Sequence, residues 1–168
     1  MPGYVIHIAI AKEYSKRNNM KCSDDLIQGT ISPDLTDDKS KTHYGKSPAY
    51  TNLYEFLKVN EINNDYNLGR FIHLIADYLF YNKYLTVIKK PDLYEDYDRT
   101  NKYLIDKYKI QIPENISDKV FFMDGELSIL SIELIENLID EIASLDLNIT
   151  IDEIKNKDIK WNNYKRLV

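Results

Sequence analysis

The sequence predicts an all-α fold, a single-domain helical bundle, and three observations carry that expectation. Apolar residues recur at spacings of three and four along most of the chain, the period of a helix with one buried face. The breaks between these stretches are short and rich in Asn, Asp, Ser, Pro and Gly, as helix connections are. Only "KIQIPENISDKVFF", residues 109–122, alternates in the manner of a strand, and Pro113 interrupts it. With 168 residues, 43% hydrophobic and 29% charged, the chain is long enough for one well-buried core and ordinary in composition. Nothing in it reads as a repeat or a linker, so residues 1–168 are expected to form one domain.

Each element has its own signal. "YVIHIAIAKEYSKR" opens the chain as a first helix after Pro2 and Gly3. "SDDLIQGTI" follows, with Ser23 as N-cap and Asp24 and Asp25 where the helix dipole favours carboxylates. "SPDLTDDKSKTHYGKSP" is expected to be a loop, in which Asp37 and Asp38 are solvated turn charges. "AYTNLYEFLKVNEI" is a third helix ended by "NNDYN". The fourth contains "GRFIHLIADYLFYNKYL" and runs to about Lys90, where Pro91 stops it. "DLYEDYDRTNKYLIDKY" makes a fifth, "SILSIELIENLIDEIASL" an amphipathic sixth, and "TIDEIKNKDIKWNNYKRL" a polar last one.

The bounds on function are simple. A net charge of −5 argues against stable nucleic-acid binding, which needs a basic face. One cysteine, Cys22, excludes an internal disulfide framework and a Cys-rich zinc site. The first residues lack the basic, apolar and cleavage regions of an export signal, and no apolar run reaches the length of a transmembrane segment. A cytoplasmic location is therefore expected.

The chemistry lies with three histidines, His7, His43 and His73. His73 and Asp77 stand one helical turn apart in an otherwise apolar helix, so one ion can take both. A carboxylate there loses several kcal/mol of hydration unless a cation or donors replace it. By itself the pair reads as readily as a buried structural pair. Asp34 after Pro33, and His43 nine residues on, add a carboxylate and an imidazole from the loop. Two carboxylates and two imidazoles suit zinc, iron or manganese. His7 sits among Ile6, Ile8 and Ile10; alone it is a core histidine, and beside the others it is a ligand candidate.

Taken in order, His7 in "VIHIAIA", Gly29, Pro33 and Asp34 in "GTISPD", His43 in "THYG", and His73 with Asp77 in "HLIAD" resemble the zinc-dependent phospholipase C family. That all-helical fold is shared with zinc-dependent single-strand nucleases, and the resemblance covers the first half of the chain. It implies a metal site between the first, fourth and loop-linked helices. Asp34, His43, His73 and Asp77 would complete one Zn2+ site, and Asp77 would bridge towards a second ion held by His7. In those enzymes the free amino terminus also binds the second ion, a place Pro2 would take after removal of Met1. The family's third site needs further histidines, and no histidine follows His73.

The resemblance further implies a phosphoesterase acting on a small phosphodiester such as a phospholipid head group or a nucleotide. The ions would lower the pKa of a water and offset charge on phosphoryl oxygens. Asp34 is the candidate catalytic base that orients the water. Tyr44 and Tyr84 offer hydroxyls for a phosphoryl oxygen, and Lys46 and Arg70 are nearby cations that read more readily as solvated charges. Two other readings stay open: a metal-binding module of this fold that has lost catalysis and serves in binding or regulation, and a metal-free bundle. Convergence of Asp34 and His43 on His73 separates the last from the others.

Overall fold

A computed structural model describes residues 3–165. Among them the chain is all-α, with no strand. The helices are α1 (Tyr4–Arg17), α2 (Asp24–Ile31), α3 (Lys39–His43), α4 (Leu53–Val59), α5 (Asp65–Leu79), α6 (Lys90–Tyr108), α7 (Ile132–Ala143) and α8 (Leu147–Lys155). Most of their starts are written locally. The side chains of Ser23, Asp38, Asn52, Asn64, Ser131 and Asp146 each accept a backbone N–H in the first turn of the helix that follows. Each such cap contributes about 1 kcal/mol.

Differences from the expected elements have local causes. The loop after α2 is not wholly irregular: Asp38 caps α3, and Ser32–Asp34 forms a tight 3-10 turn begun by Pro33. The helix carrying His73 is therefore α5 rather than the fourth. It starts one turn before Gly69 because the Asn64 side chain accepts the Asn67 N–H at 2.8 Å. It ends well before Lys90, through a widened π turn over Phe80–Tyr84 that closes with Leu85 N–H to the Phe80 carbonyl at 2.8 Å. Pro91 does not stop that helix; it sits in the first turn of α6, where a missing N–H costs nothing. The alternating segment 109–122 holds only the 3-10 turn Glu114–Ile116. The last expected helix, residues 150–167, is instead α8, which starts earlier because the Asp146 side chain caps it and ends at Lys155. Only a 3-10 turn over Ile159–Trp161 follows, and residues 166 and 167 of the expected helix lie outside the described residues.

The core forms around α1 and α5, which are buried on most sides. α1 contributes Val5, Ile6, Ile8, Ala9, Ile10 and Ala11, and packs on α7, α6, α2 and α5. α5 contributes Phe71, Ile72, Leu74, Ile75 and Ala76, and makes its most extensive contact with α2. That contact is backbone to backbone. A Cβ on Gly69 would stand 2.3 Å from the Leu26 carbonyl oxygen, and one on Gly29 would stand 2.1 Å from the Tyr66 carbonyl oxygen. Only paired glycines permit this approach. It matters for function, because it brings the end of α2 against the middle of α5. No helix among the described residues is long and apolar enough to cross a membrane.

Candidate metal centre

The Gly69 stripe of α5 continues through His73 to Asp77, at intervals of one turn. With α2 drawn in by the glycine contact, the Thr30 carbonyl in its last turn accepts the His73 Nδ1–H at 2.6 Å. α3 fixes the second imidazole: His43 Nδ1 lies 3.0 Å from the Lys39 carbonyl oxygen, one turn back on its own helix. A carbonyl can only accept, so both Nδ1 atoms carry hydrogen. In the neutral rings each Nε2 is then left with a lone pair.

Those two lone pairs face each other. His43 Nε2 and His73 Nε2 are 3.3 Å apart. Asp77 Oδ2 lies 2.8 Å from the first and 3.4 Å from the second, and Asp34 Oδ1 lies 3.6 and 3.7 Å from them. All four donor atoms fall within 4.8 Å of one another, and all four residues are buried. Close as they are, none of the four carboxylate oxygens has a hydrogen bond of proper geometry. With both rings neutral, four lone-pair atoms thus converge with no hydrogen of these four residues among them, an arrangement that a cation stabilises. The spacing fits the purpose. Zinc bonds of about 2.0–2.1 Å at tetrahedral angles hold donor atoms about 3.3–3.4 Å apart.

His7 completes the constellation from α1. Its ring stacks on His73, with centroids 3.7 Å apart and planes 9° from parallel. Its Nε2 is 3.2 Å from Asp77 Oδ1 and 4.0 Å from Asp34 Oδ2. Each carboxylate therefore turns one oxygen to the His43–His73 pair and the other to His7. Neither nitrogen of His7 has a hydrogen-bond partner. All five residues named from the sequence are thus brought together. Met1 and Pro2, the expected source of an amino-terminal ligand, lie outside the described residues.

The electrostatics are those of a charge-dense, water-poor site. Burial lowers the His7 imidazole, with a further push from His73, to a pKa of about 4, so it stays neutral. Burial acts the same way on His73, but the Asp77 and Asp34 carboxylates outweigh it and raise that ring above its ordinary value. Burial would raise Asp77; His73 in particular, and the His43 and His7 rings, hold it well below the carboxylate range instead. In the absence of a cation, a proton on His73 is the nearest substitute for one.

Two groups at this site escaped the sequence reading. Lys39 Nζ lies 3.3 Å from Asp34 Oδ1, a contact hinted at only by its place one turn before His43. Tyr97 belongs to the buried stripe Leu93–Tyr97–Thr100–Leu104 of α6, where periodicity marks it as a core aromatic. Its hydroxyl is buried and has no partner. Conversely, the tyrosines considered from the sequence point elsewhere. The Tyr44 hydroxyl accepts from Asn60 and Arg70, and the Tyr84 hydroxyl donates to Glu141 at 2.6 Å. Lys46 lies over the Tyr50 ring, and Arg70 bonds to Asn60 and Asn67 beside Phe56. Neither cation reaches the cluster. Comparison with protein-family models, curated proteins and solved structures gives no match to this chain.

Proposed function

We propose that the protein is a metal-dependent phosphoesterase, similar to the zinc-dependent phospholipases C, acting on a phosphodiester such as a phospholipid head group or a nucleotide. The observation that carries the reading is the convergence of two imidazole Nε2 lone pairs and two carboxylates at metal-ligand spacing in a buried site. Asp34, His43, His73 and Asp77 would hold one Zn2+, and His7 with the outer oxygen of Asp77 would serve a second. A bound ion supplies Lewis acidity there, lowering the pKa of water and offsetting charge on phosphoryl oxygens.

The chain's own residues supply the rest. The Thr30 and Lys39 carbonyls hold the two rings in the tautomer that leaves Nε2 free, as outer partners of metal-binding histidines do. Asp34 spans both halves of the cluster, which suits it to orient a water and accept its proton. Lys39 beside it adds a positive charge that favours an anionic substrate. Three consecutive exposed apolar residues, Phe121, Phe122 and Met123, favour a phospholipid over a nucleotide within this class. Their loop is moored to α6 by Asn101 to the Phe121 carbonyl and by Met123 N–H to the Asp98 carbonyl.

The second reading is a metal-binding module without catalysis. It is favoured by the segment after Asp77, where the related enzymes carry another histidine. Here Lys83 and Tyr84 both bind Glu141, a surface cluster with no metal-ligand character. Elemental analysis of the purified protein beside His73→Ala and Asp34→Ala variants tests both readings. Stoichiometric zinc that falls in both variants, with hydrolysis of a p-nitrophenyl phosphodiester by the parent, is the expected result. Metal without hydrolysis would leave the module, and equal metal in all three proteins would end both readings.

A further inference from the structure

We infer that Tyr97 is a hydrogen-bond donor of this centre, its phenolic O–H serving an anionic oxygen, such as a phosphoryl oxygen, gathered by a cation bound there. The inference rests on the proposed metal site and adds to it a residue from outside the recognisable motifs.

The location comes from two contacts. The Tyr97 side chain abuts Gly3, with its Cβ and Cγ 3.3 Å from where a Gly3 Cβ would stand. Gly3 is one turn before His7, whose N–H it accepts. On the other side, the Tyr97 ring centroid is 6.4 Å from that of Phe80, three residues after Asp77. The ring therefore lies beside Gly3, the N-cap of the helix that carries His7, and beside the π turn that follows the helix carrying Asp77. Its hydroxyl is enclosed there without a partner.

A buried, unsatisfied hydroxyl is destabilising, and a phenylalanine would fill the same space without the penalty. Burial first, then the Asp77 carboxylate, then Tyr94, Asp34 and Asp96, raise the hydroxyl's pKa well above its ordinary value. The group thus remains a donor at any physiological pH. The metal ligands offer only lone pairs, whereas Tyr97 offers a neutral O–H, the group needed to hold an oxyanion beside a cation. On the outer side, Tyr94 is 6.0 Å from the Tyr97 ring and lines a surface cleft of about 240 Å³ with Tyr50, Tyr81 and Lys90.

The test uses the full chain loaded with zinc, its Tyr97→Phe variant, and inorganic phosphate as probe. Zinc content, thermal midpoint and phosphate affinity by calorimetry are measured on both. The expected result is unchanged zinc, an equal or higher midpoint, and phosphate binding weakened about tenfold. Equal phosphate affinity in the two proteins overturns the inference, as does a parent that holds zinc and binds no phosphate. Loss of zinc or of folding on Tyr97→Phe also overturns it, because the hydroxyl would then be structural. A parent that binds no zinc at all defeats the metal reading itself, which keeps the two failures apart.

Discussion

Asp77 and Asp96 are both fully buried carboxylates on long helices, and their surroundings could hardly differ more. Asp96 accepts backbone N–H groups from Ser128, Ile129 and Leu130 at 2.7–3.2 Å and the Arg99 guanidinium at 3.2 Å. Burial would raise it, and those donors, the Leu130 N–H first, hold it below the ordinary carboxylate value. Asp77 has no backbone donor and faces three imidazole nitrogens, two of which present lone pairs. A satisfied buried carboxylate is a fastener, here tying the segment before α7 to α6. An unsatisfied one among other acceptors is a place for a cation.

The largest expected effect that would break this contrast is metal-linked stability. If zinc is held at about a thousand times its Kd, it adds about 4 kcal/mol, or very roughly 10 °C in melting temperature for a chain of this size. A chelator should remove that increment, and Asp77→Asn should abolish it; a melting curve that ignores both would put Asp77 in the same class as Asp96. Next comes Asp96→Asn, expected to cost about 2–4 kcal/mol by denaturant titration, equally with and without zinc. A cost that appears only in the zinc-loaded protein would contradict a purely architectural role. Gly69→Ala should destabilise by about 1–3 kcal/mol and also weaken zinc binding, since separating α2 from α5 withdraws the Thr30 carbonyl from His73.

Acid sharpens the same comparison. The Asp96 pKa is lowered on folding, so its contribution is present above the unfolded value of about 3.9 and fades as pH falls through the lower folded value. Zinc should leave earlier, as protons compete for imidazoles with an ordinary pKa of about 6.5. Zinc content and stability followed together from pH 7 to 3 should therefore fall in two separate steps. The smallest effect is Tyr84→Phe, which should cost under about 1 kcal/mol and leave zinc untouched, because that hydroxyl serves Glu141 at the surface.

Much of this was legible residue by residue. α1 and α2 follow from apolar period and from Ser23, and the five cluster residues were all named from their order in the chain. What the chain hid were features with no local signature. Asn64, within "NNDYN", reads as part of a helix end because a cap and a break use the same residue types. The π turn at Phe80–Tyr84 has the apolar period of a continuing helix, and Pro91 marks a start as readily as a stop. Tyr97 looked like any core aromatic, and the mooring of Asp96 depends on backbone groups more than thirty residues away.

The sequence by itself determined that the chain is helical and which imidazoles and carboxylates it can offer, because periodicity, caps and residue chemistry are local properties. Tertiary structure alone decided that these groups meet. The approach of Gly29 and Gly69 sets the distance between α2 and α5, and with it the tautomer of His73. The crossing of α1, α5 and α6 then decides which buried polar groups find partners and which, like the Asp77 oxygens and the Tyr97 hydroxyl, are left without a hydrogen bond. Satisfaction of a buried polar atom depends on what packs against it, and no local pattern encodes that neighbour.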